Sequence, residues 1–184
     1  MINAQYVRDA LTYDPTTGKF HWRQDRPSGH FKTLQAERAW KTKFAGKAAG
    51  TKIKNKNGKV YRYIAMNGRV ILAHRIAFLY VTGKWPVMLD HINGDGTDNR
   101  WRNLREVSGS SENNKNQRRR SDNTSGQTGV IFYKRTQQWR ARITVDGKHK
   151  SLGYFDEYED AVMARLTAER EHGYHSNHGE DRKL

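Results

Sequence analysis

Alternating hydrophobic residues predict β-strands in the first part of the chain. Two β-prone runs, residues 61–66 and 69–72, flank Asn67 and Gly68. Asn-Gly between such runs predicts a two-residue hairpin turn, because both central residues need a positive φ. A shorter strand is expected over residues 19–23, after a turn sequence that contains proline and glycine.

Helical spacing of apolar residues replaces this alternation from Ala73 onward. Gly83 and Pro86 indicate where that helix ends. A short strand over residues 87–89, a loop rich in Asn, Asp and Gly, and a return strand over residues 104–107 are expected next. A short helix that carries several asparagines would complete this strand–loop–strand–helix segment.

A self-contained block is predicted between residues 128 and 172. Three strand-like runs precede one helix, which the apolar spacing places over about residues 157–170. Apolar and polar residues alternate strictly along the middle run, so one face is expected to pack on the helix and the other to be exposed and basic. The exposed face is predicted to carry Tyr133, Arg140, Arg142, Thr144, His149 and Ser151, with Arg135 just beyond it.

The net charge adds a functional prediction to the α+β class: the protein is expected to bind a polyanion. The 184 residues include 34 Lys and Arg against 19 Asp and Glu, a formal net charge of +15. Such an excess favours nucleic acid, because each neutralised phosphate releases condensed counterions. Residues 117–127 include Arg118, Arg119 and Arg120 among small polar side chains, and are expected to be a linker that lies along phosphates. Residues 26–57 contain few apolar side chains and are expected to be a poorly packed extension or a DNA-contacting arm.

Several classes of protein are excluded by what the sequence lacks. It contains no cysteine, so disulfides and thiolate zinc sites are impossible. The first residues lack the apolar segment of a signal peptide, and no apolar run approaches membrane-spanning length. A soluble, intracellular protein is therefore expected.

Groups with acid–base and metal-binding chemistry are concentrated between residues 90 and 103. His91 can act as a general base, because an imidazole with its ordinary pKa of roughly 6.5 is largely neutral at physiological pH. Asp90 is adjacent on an extended segment, so it points to the opposite side, where its oxygens can bind a divalent metal. Asn103 lies across the loop and could hold the His91 ring by hydrogen bonding. These groups together suit phosphodiester hydrolysis.

Residues 90–116, with the stretch 73–86 before them, resemble the HNH endonucleases of the ββα-metal fold, particularly phage-encoded homing endonucleases. The resemblance covers roughly residues 10–116. It implies that His91 is the general base and that Asn103 is the central asparagine, which orients the histidine. It also implies that Asp90 and Asn113 bind a magnesium or manganese ion.

The spacing of the second metal ligand departs from that family. Residues 108–111 carry one extra residue, so Asn113 lies one position further from Asn103 than the family usually has it. Asn114 is therefore an alternative ligand, with Asn113 preferred.

The last block is similar to the Apetala-type domain of plant ethylene-response factors, which binds DNA through its sheet. The similarity rests on residues 125–130, 139–143 and 152–155, followed by the Ala-rich helix. The plant pattern has arginines where Ile131 and Tyr133 stand and a tryptophan at Ser151, so its target sequence cannot be transferred.

These patterns predict an α+β protein with a ββα-metal nuclease domain followed by a small three-stranded antiparallel sheet and one helix. The expected ranges are 1–116 for the nuclease domain (core about 60–116), 117–127 for the basic linker, 128–172 for the DNA-binding domain and 173–184 for a frayed tail.

The predicted function is a metal-dependent DNA endonuclease that cuts at a preferred site as a free-standing homing enzyme. The alternative is a sequence-specific DNA-binding regulator with an inactive nuclease domain, against which the intact Asp90, His91 and Asn103 argue. An RNA-binding accessory protein is disfavoured, because aromatic stacking platforms are lacking. The expected partner is double-stranded DNA, with no membrane and no small-molecule cofactor. A monomer is expected, cytoplasmic in a bacterial host if the chain is phage-encoded.

Overall fold

The computed structural model describes residues 2–109 and 114–181, and the chain divides into two compact units, residues 1–106 and 107–184. The α+β class expected from the sequence is confirmed. The first unit contains, in chain order, α1 (Ala4–Ala10), β1 (Leu11–Asp14), β2 (Lys19–Trp22), a 3-10 turn (Ser28–His30), α2 (Leu34–Phe44), β3 (Ala48–Ala49), β4 (Thr51–Lys54), β5 (Val60–Met66), β6 (Arg69–Leu72), α3 (Ala73–Thr82), β7 (Leu89–His91), a second 3-10 turn (Trp101–Asn103) and β8 (Leu104–Glu106).

Three small antiparallel sheets organise this unit. Strands β1, β2 and β3 form one sheet, β4, β5 and β6 a second, and β7 pairs with β8. Asn67 and Gly68 have φ values of 48° and 71°, which confirms the hairpin turn that joins β5 to β6. α3 ends at Gly83, whose φ of 78° is the left-handed conformation typical of a helix C-terminus. The core lies where α1 and α3 pack together with the sheets, and it includes Val7, Leu11, Phe20, Ile64, Ile76 and Leu79.

Residues 26–57 contain α2, β3 and β4, which the expectation of an extension did not include; Arg26, Glu37 and Ala49 are buried there, while most of the other side chains are exposed. α2 begins after Thr33, whose side chain accepts a hydrogen bond from Ala36 N. Arg26 is only 5% exposed, and its guanidinium lies over aromatic rings, including those of Phe31 and Trp40 at 4.8 and 4.6 Å. The number of apolar residues did not predict this packing, because it depends on a cation surrounded by aromatic side chains.

The second unit contains β9 (Val130–Tyr133), β10 (Gln138–Val145), β11 (Lys148–Phe155) and α4 (Tyr158–Glu171). The strands form an antiparallel sheet in the order β11-β10-β9, and α4 packs on one face of it. Asp146 and Gly147, with φ values of 50° and 76°, make the turn between β10 and β11. The predicted sheet and helix are thus confirmed.

The segment after α4 is hydrogen-bonded to residues 115–119, which the expectation of a frayed tail did not include. Backbone hydrogen bonds join His175 N to Lys115 O, Gly179 N to Gln117 O, and Arg119 N to Glu180 O. These hydrogen bonds join stretches of the same unit that are far apart in the sequence. A local sequence pattern could therefore not predict them. Among residues 2–109 and 114–181, no helix is long and apolar enough to cross a membrane.

Candidate active site

The hairpin of β7 and β8 positions the acid and the histidine expected to carry the chemistry. Asp90 pairs with Arg105 and His91 with Leu104, and Ile92 N donates to Asn103 O at 2.9 Å. Because successive strand residues alternate in direction, the imidazole of His91 is buried while the half-buried Asp90 faces the other side. An Arg105 Nη atom lies 3.0 Å from the Asp90 carboxylate.

Asn103 closes the loop that follows His91. Its side-chain oxygen accepts from Asn93 N at 3.0 Å, and its Nδ2 donates to Asn93 Oδ1 at 3.0 Å and to Asp98 O at 2.8 Å. The amide of Asn103 is therefore committed to the loop, and it acts on His91 through the backbone rather than by the expected bond to the ring.

Asp95 and Asp98 shape the same loop. Thr97 N donates to Asp95 Oδ1 at 2.8 Å, and Asp98 accepts from the Arg100 guanidinium. The Arg100 contact holds the pKa of the Asp98 carboxyl below its ordinary value. Both aspartates act as turn-forming side chains.

His91 is held as a buried, neutral imidazole. It is 5% exposed, and its Nε2 atom lies 3.2 Å from Asn99 Oδ1. Burial lowers the pKa of His91 below its ordinary value, although the hydrogen bond to Asn99 and the charge of Asp90 oppose that shift. An imidazole in this state can accept a proton at physiological pH.

His74, in the first turn of α3, lies against His91. The two rings meet edge to face, with centroids 4.7 Å apart and planes at 87°. Burial, reinforced by the neighbouring His91, lowers the pKa of His74 to about 3. Its Nδ1 atom is buried and has no hydrogen-bond partner among the residues that the structure describes.

Asn99, Tyr13 and Gly18 belong to the surroundings of His91 and were missed by the sequence analysis. The Tyr13 hydroxyl donates to Asn99 O at 2.7 Å. A Cβ atom at Gly18 would lie 2.5 Å from Asn99 C, so the turn between β1 and β2 presses directly on this backbone. Local patterns carried no signal for these contacts, because 86 positions separate Tyr13 from Asn99.

Asp90 is the predicted metal ligand that lies among the described residues. Asp90 offers a carboxylate, the hard oxygen donor that magnesium and manganese prefer. Its predicted partner Asn113 lies outside the described residues. Within residues 2–109 and 114–181, no cluster of three or more His, Cys, Asp or Glu side chains could hold a metal ion.

The sheet of the second unit brings together the side chains expected to contact DNA. Arg140 pairs with Ile131 and Tyr154, and Arg142 pairs with Ser151. Thr144 pairs with His149, their Oγ1 and Nδ1 atoms 2.9 Å apart. Since paired residues share a face, one surface carries Tyr133, Arg140, Arg142, Thr144, His149 and Ser151; we call it the basic sheet face. Arg135 lies in the turn after β9.

Tyr154 is an addition to the basic sheet face. Its ring is 45% exposed and lies 5.8 Å below the Arg140 guanidinium. The Tyr133 ring is also 5.8 Å away from it, between centroids. An exposed aromatic ring beside Arg140 suits contact with nucleotides.

The three consecutive arginines line a polar pocket of about 420 Å³. Arg119 donates to Gly126 O at 2.7 Å and lies 3.5 Å from Asp181. Arg120 is paired with Asp122 at 2.8 Å. Two of the three charges are thus partly neutralised within the unit.

Comparison with known protein families identifies one segment. Residues 72–115 match the family model of the HNH endonucleases, a range that includes His74, Asp90, His91, Asn99 and Asn103. No curated protein and no solved structure matched the chain. The match supports a nuclease, and the histidine at its centre is the buried imidazole described above.

Proposed function

We propose that the protein is a metal-dependent DNA endonuclease that hydrolyses phosphodiester bonds at a preferred site. The observation that carries the proposal is His91, a buried imidazole beside Asp90 at the end of β7, inside the segment that matches the HNH family. The formal charge of +15 favours the polyanionic substrate.

The chemistry assigned to this chain begins with a proton transfer. His91 takes a proton from a water molecule as the water oxygen bonds to phosphorus, and the phosphorus–oxygen bond on the opposite side breaks. Asp90 and Asn113 would hold a magnesium or manganese ion, which supplies positive charge for the phosphate oxygens. Asn103 keeps the loop closed, so that His91 stays in place during the reaction.

The second unit would provide much of the selection of the DNA site. The basic sheet face can enter a major groove, where arginine side chains bind phosphates and base edges. Arg118, Arg119 and Arg120 would add phosphate contacts. Two DNA-binding modules on one chain raise the effective concentration of the second contact. The role proposed for this chain is that of a free-standing homing endonuclease.

A plasmid cleavage assay tests the proposal. Cleavage should require magnesium or manganese and stop in excess chelator, and Asp90→Ala should abolish most of it. Asp9→Ala, which removes an exposed carboxylate on α1, is the matched control and should cleave normally. Full cleavage in chelator would contradict the metal mechanism.

The ranking of two asparagines tests the ligand assignment. Asn113→Ala should lower cleavage more than Asn114→Ala, because Asn113 is the proposed ligand. The reverse ranking would transfer that role to Asn114. Tight DNA binding without cleavage under any metal condition would favour the alternative function, a DNA-binding regulator.

A further inference from the structure

We propose that Asn99 positions the His91 base and selects its tautomer, and that the turn between β1 and β2 holds Asn99 for this task. The inference deepens the proposed function and rests on it for the role of His91. It adds a positioning residue inside the matched segment and two supporting residues, Tyr13 and Gly18, that lie outside it.

The contact between Asn99 and His91 defines which ring nitrogen carries the proton. Asn99 Oδ1 lies 3.2 Å from His91 Nε2, and an amide oxygen can only accept a hydrogen bond. We therefore assign the proton to Nε2, with Asn99 Oδ1 as its acceptor, and in the proposed reaction Nδ1 is then the nitrogen that takes a proton from water. In metal and catalytic sites the partner of one imidazole nitrogen commonly fixes the state of the other.

Asn99 is suited to this role by its burial. Its side chain is 1% exposed, so bulk water cannot readily replace its oxygen as the acceptor. The other polar side chains of the loop have different partners: Asn103 bonds to Asn93 and Asp98, and Asp95 to Thr97.

The turn between β1 and β2 fixes the Asn99 backbone from the other side. The Tyr13 hydroxyl donates to Asn99 O at 2.7 Å, and Trp101 N donates to Pro15 O at 2.9 Å. Gly18 has a φ of 70° and approaches so closely that a Cβ atom would lie 2.5 Å from both Asn99 C and Arg100 N. The peptide of Asn99 is therefore clamped between a hydroxyl donor and a glycine.

The clamp is itself anchored in the core. The Tyr13 ring stacks on Phe20 at 4.7 Å and meets Tyr80 edge to face at 5.7 Å. Tyr13 can therefore present its hydroxyl with little freedom to move. The His74 ring also packs edge to face against His91, which restricts rotation of the base.

Nitrogen-15 NMR of the full-length protein tests the tautomer directly. Long-range proton–nitrogen spectra distinguish an imidazole protonated at Nε2 from one protonated at Nδ1, and His91→Gln assigns the signals. The wild-type protein should show the Nε2–H form. Asn99→Leu should raise the Nδ1–H population, whereas Asn99→Asp retains an acceptor and should keep the wild-type form.

Tyr13→Phe tests the clamp, because it removes one hydroxyl group and leaves the packed ring. It should shift the His91 signals in the same direction as Asn99→Leu, by a smaller amount. Tyr6→Phe is the matched control, since its hydroxyl accepts from Arg26 rather than contacting Asn99, and it should leave the spectrum unchanged. If Asn99→Leu does not fold, Tyr13→Phe and Asn99→Asp still decide the question.

Cleavage kinetics complete the test. Asn99→Leu should lower kcat about 100-fold with KM nearly unchanged, the scale expected when a catalytic group is slightly misplaced. An Nδ1–H form in the wild type, unchanged tautomers in Asn99→Leu, or an unchanged kcat would overturn the inference. The NMR spectra can be recorded whether or not the protein cuts DNA. A wild-type protein that fails to cut DNA therefore contradicts the proposed function, whereas the tautomer measurement decides the inference about Asn99.

Discussion

His74 is an imidazole whose environment opposes its protonation in the folded protein. Its pKa is lowered to about 3 in the fold, whereas an unfolded chain would titrate near 6.5. Between these values the unfolded state binds more protons, so the free energy of unfolding falls as pH decreases from about 6.5 towards 3. Above about pH 6.5, His74 adds no pH dependence to the free energy of unfolding.

Replacing His74 should therefore reduce the sensitivity of the fold to acid. His74→Phe should flatten the fall in unfolding free energy between about pH 6.5 and 3, by an amount on the order of a few kcal/mol. Thermal or denaturant unfolding across this pH range is the measurement. His21→Phe, on an exposed strand position, is the control and should keep the wild-type slope. An unchanged slope in His74→Phe would mean that His74 titrates normally.

Loss of the proposed base should affect cleavage and spare binding. His91→Ala should lower the cleavage rate by roughly two to four orders of magnitude, the usual effect of losing a general base. DNA binding should persist, because most cationic side chains are unchanged. The control His21→Ala should cleave at the wild-type rate. Near-normal turnover in His91→Ala would assign the base to another residue.

Individual residues differ in how far the sequence reveals their roles. Asp90 and His91 could be predicted because they are adjacent and follow a strand, so their directions follow from strand geometry. Asn103 was predicted as part of the site, but its hydrogen bonds depend on how the loop closes. Asn99 could not be predicted, because its partners Tyr13 and His91 meet only in the folded chain.

At the scale of elements, the region around α2 depends on one buried cation. Arg26 donates to the Tyr6 hydroxyl at 3.0 Å and to His30 Nδ1 at 3.3 Å, while four aromatic rings surround its guanidinium. Desolvated cation–π contacts contribute about 2 kcal/mol or more, and truncation would also leave a cavity.

Arg26→Ala should consequently lower the free energy of unfolding by about 2–4 kcal/mol, as measured by denaturant unfolding. Arg23→Ala is the matched control, because Arg23 is near in sequence and pairs at the surface with Asp25. It should unfold almost like the wild type. Equal effects of the two substitutions would show that the aromatic rings do not depend on Arg26.

Local sequence patterns predicted some elements of the fold and missed others. The turns at Asn67-Gly68 and Asp146-Gly147 were predicted because a positive φ is a property of the residues themselves. α2 was missed because its region is held by Arg26 and aromatic rings rather than by an apolar stripe. The order of residues 173–181 was missed because their hydrogen bonds are made with residues 115–119.

At the scale of the molecule, the arrangement of charge on the second unit predicts how it engages DNA. Arg140→Ala with Arg142→Ala should weaken DNA binding and reduce the slope of log affinity against log salt by about 0.9 for each lost phosphate contact. Both arginines lie on the basic sheet face, so the fold should be preserved. Binding measured over a range of salt concentrations provides the test.

The same sheet offers a control with an equal change of charge. Lys148 and Lys150 pair with Val145 and Ile143, so they belong to the opposite face of the sheet. Lys148→Ala with Lys150→Ala should affect the affinity and the salt slope less than the arginine pair. Equal effects would show that total charge, rather than the basic sheet face, governs binding.

The hydrogen bond from Tyr13 to Asn99 also fixes an order of events during synthesis. Tyr13 is made before its acceptor, which follows 86 residues later. Closing so long a loop is slow compared with forming the local hairpins. A nascent chain that stops just after His91 contains the His91 imidazole but lacks the Asn99 amide that contacts it. On the proposed role of Asn99, the His91 base is therefore prepared only after residues on both sides of it have been made and Tyr13 has reached Asn99.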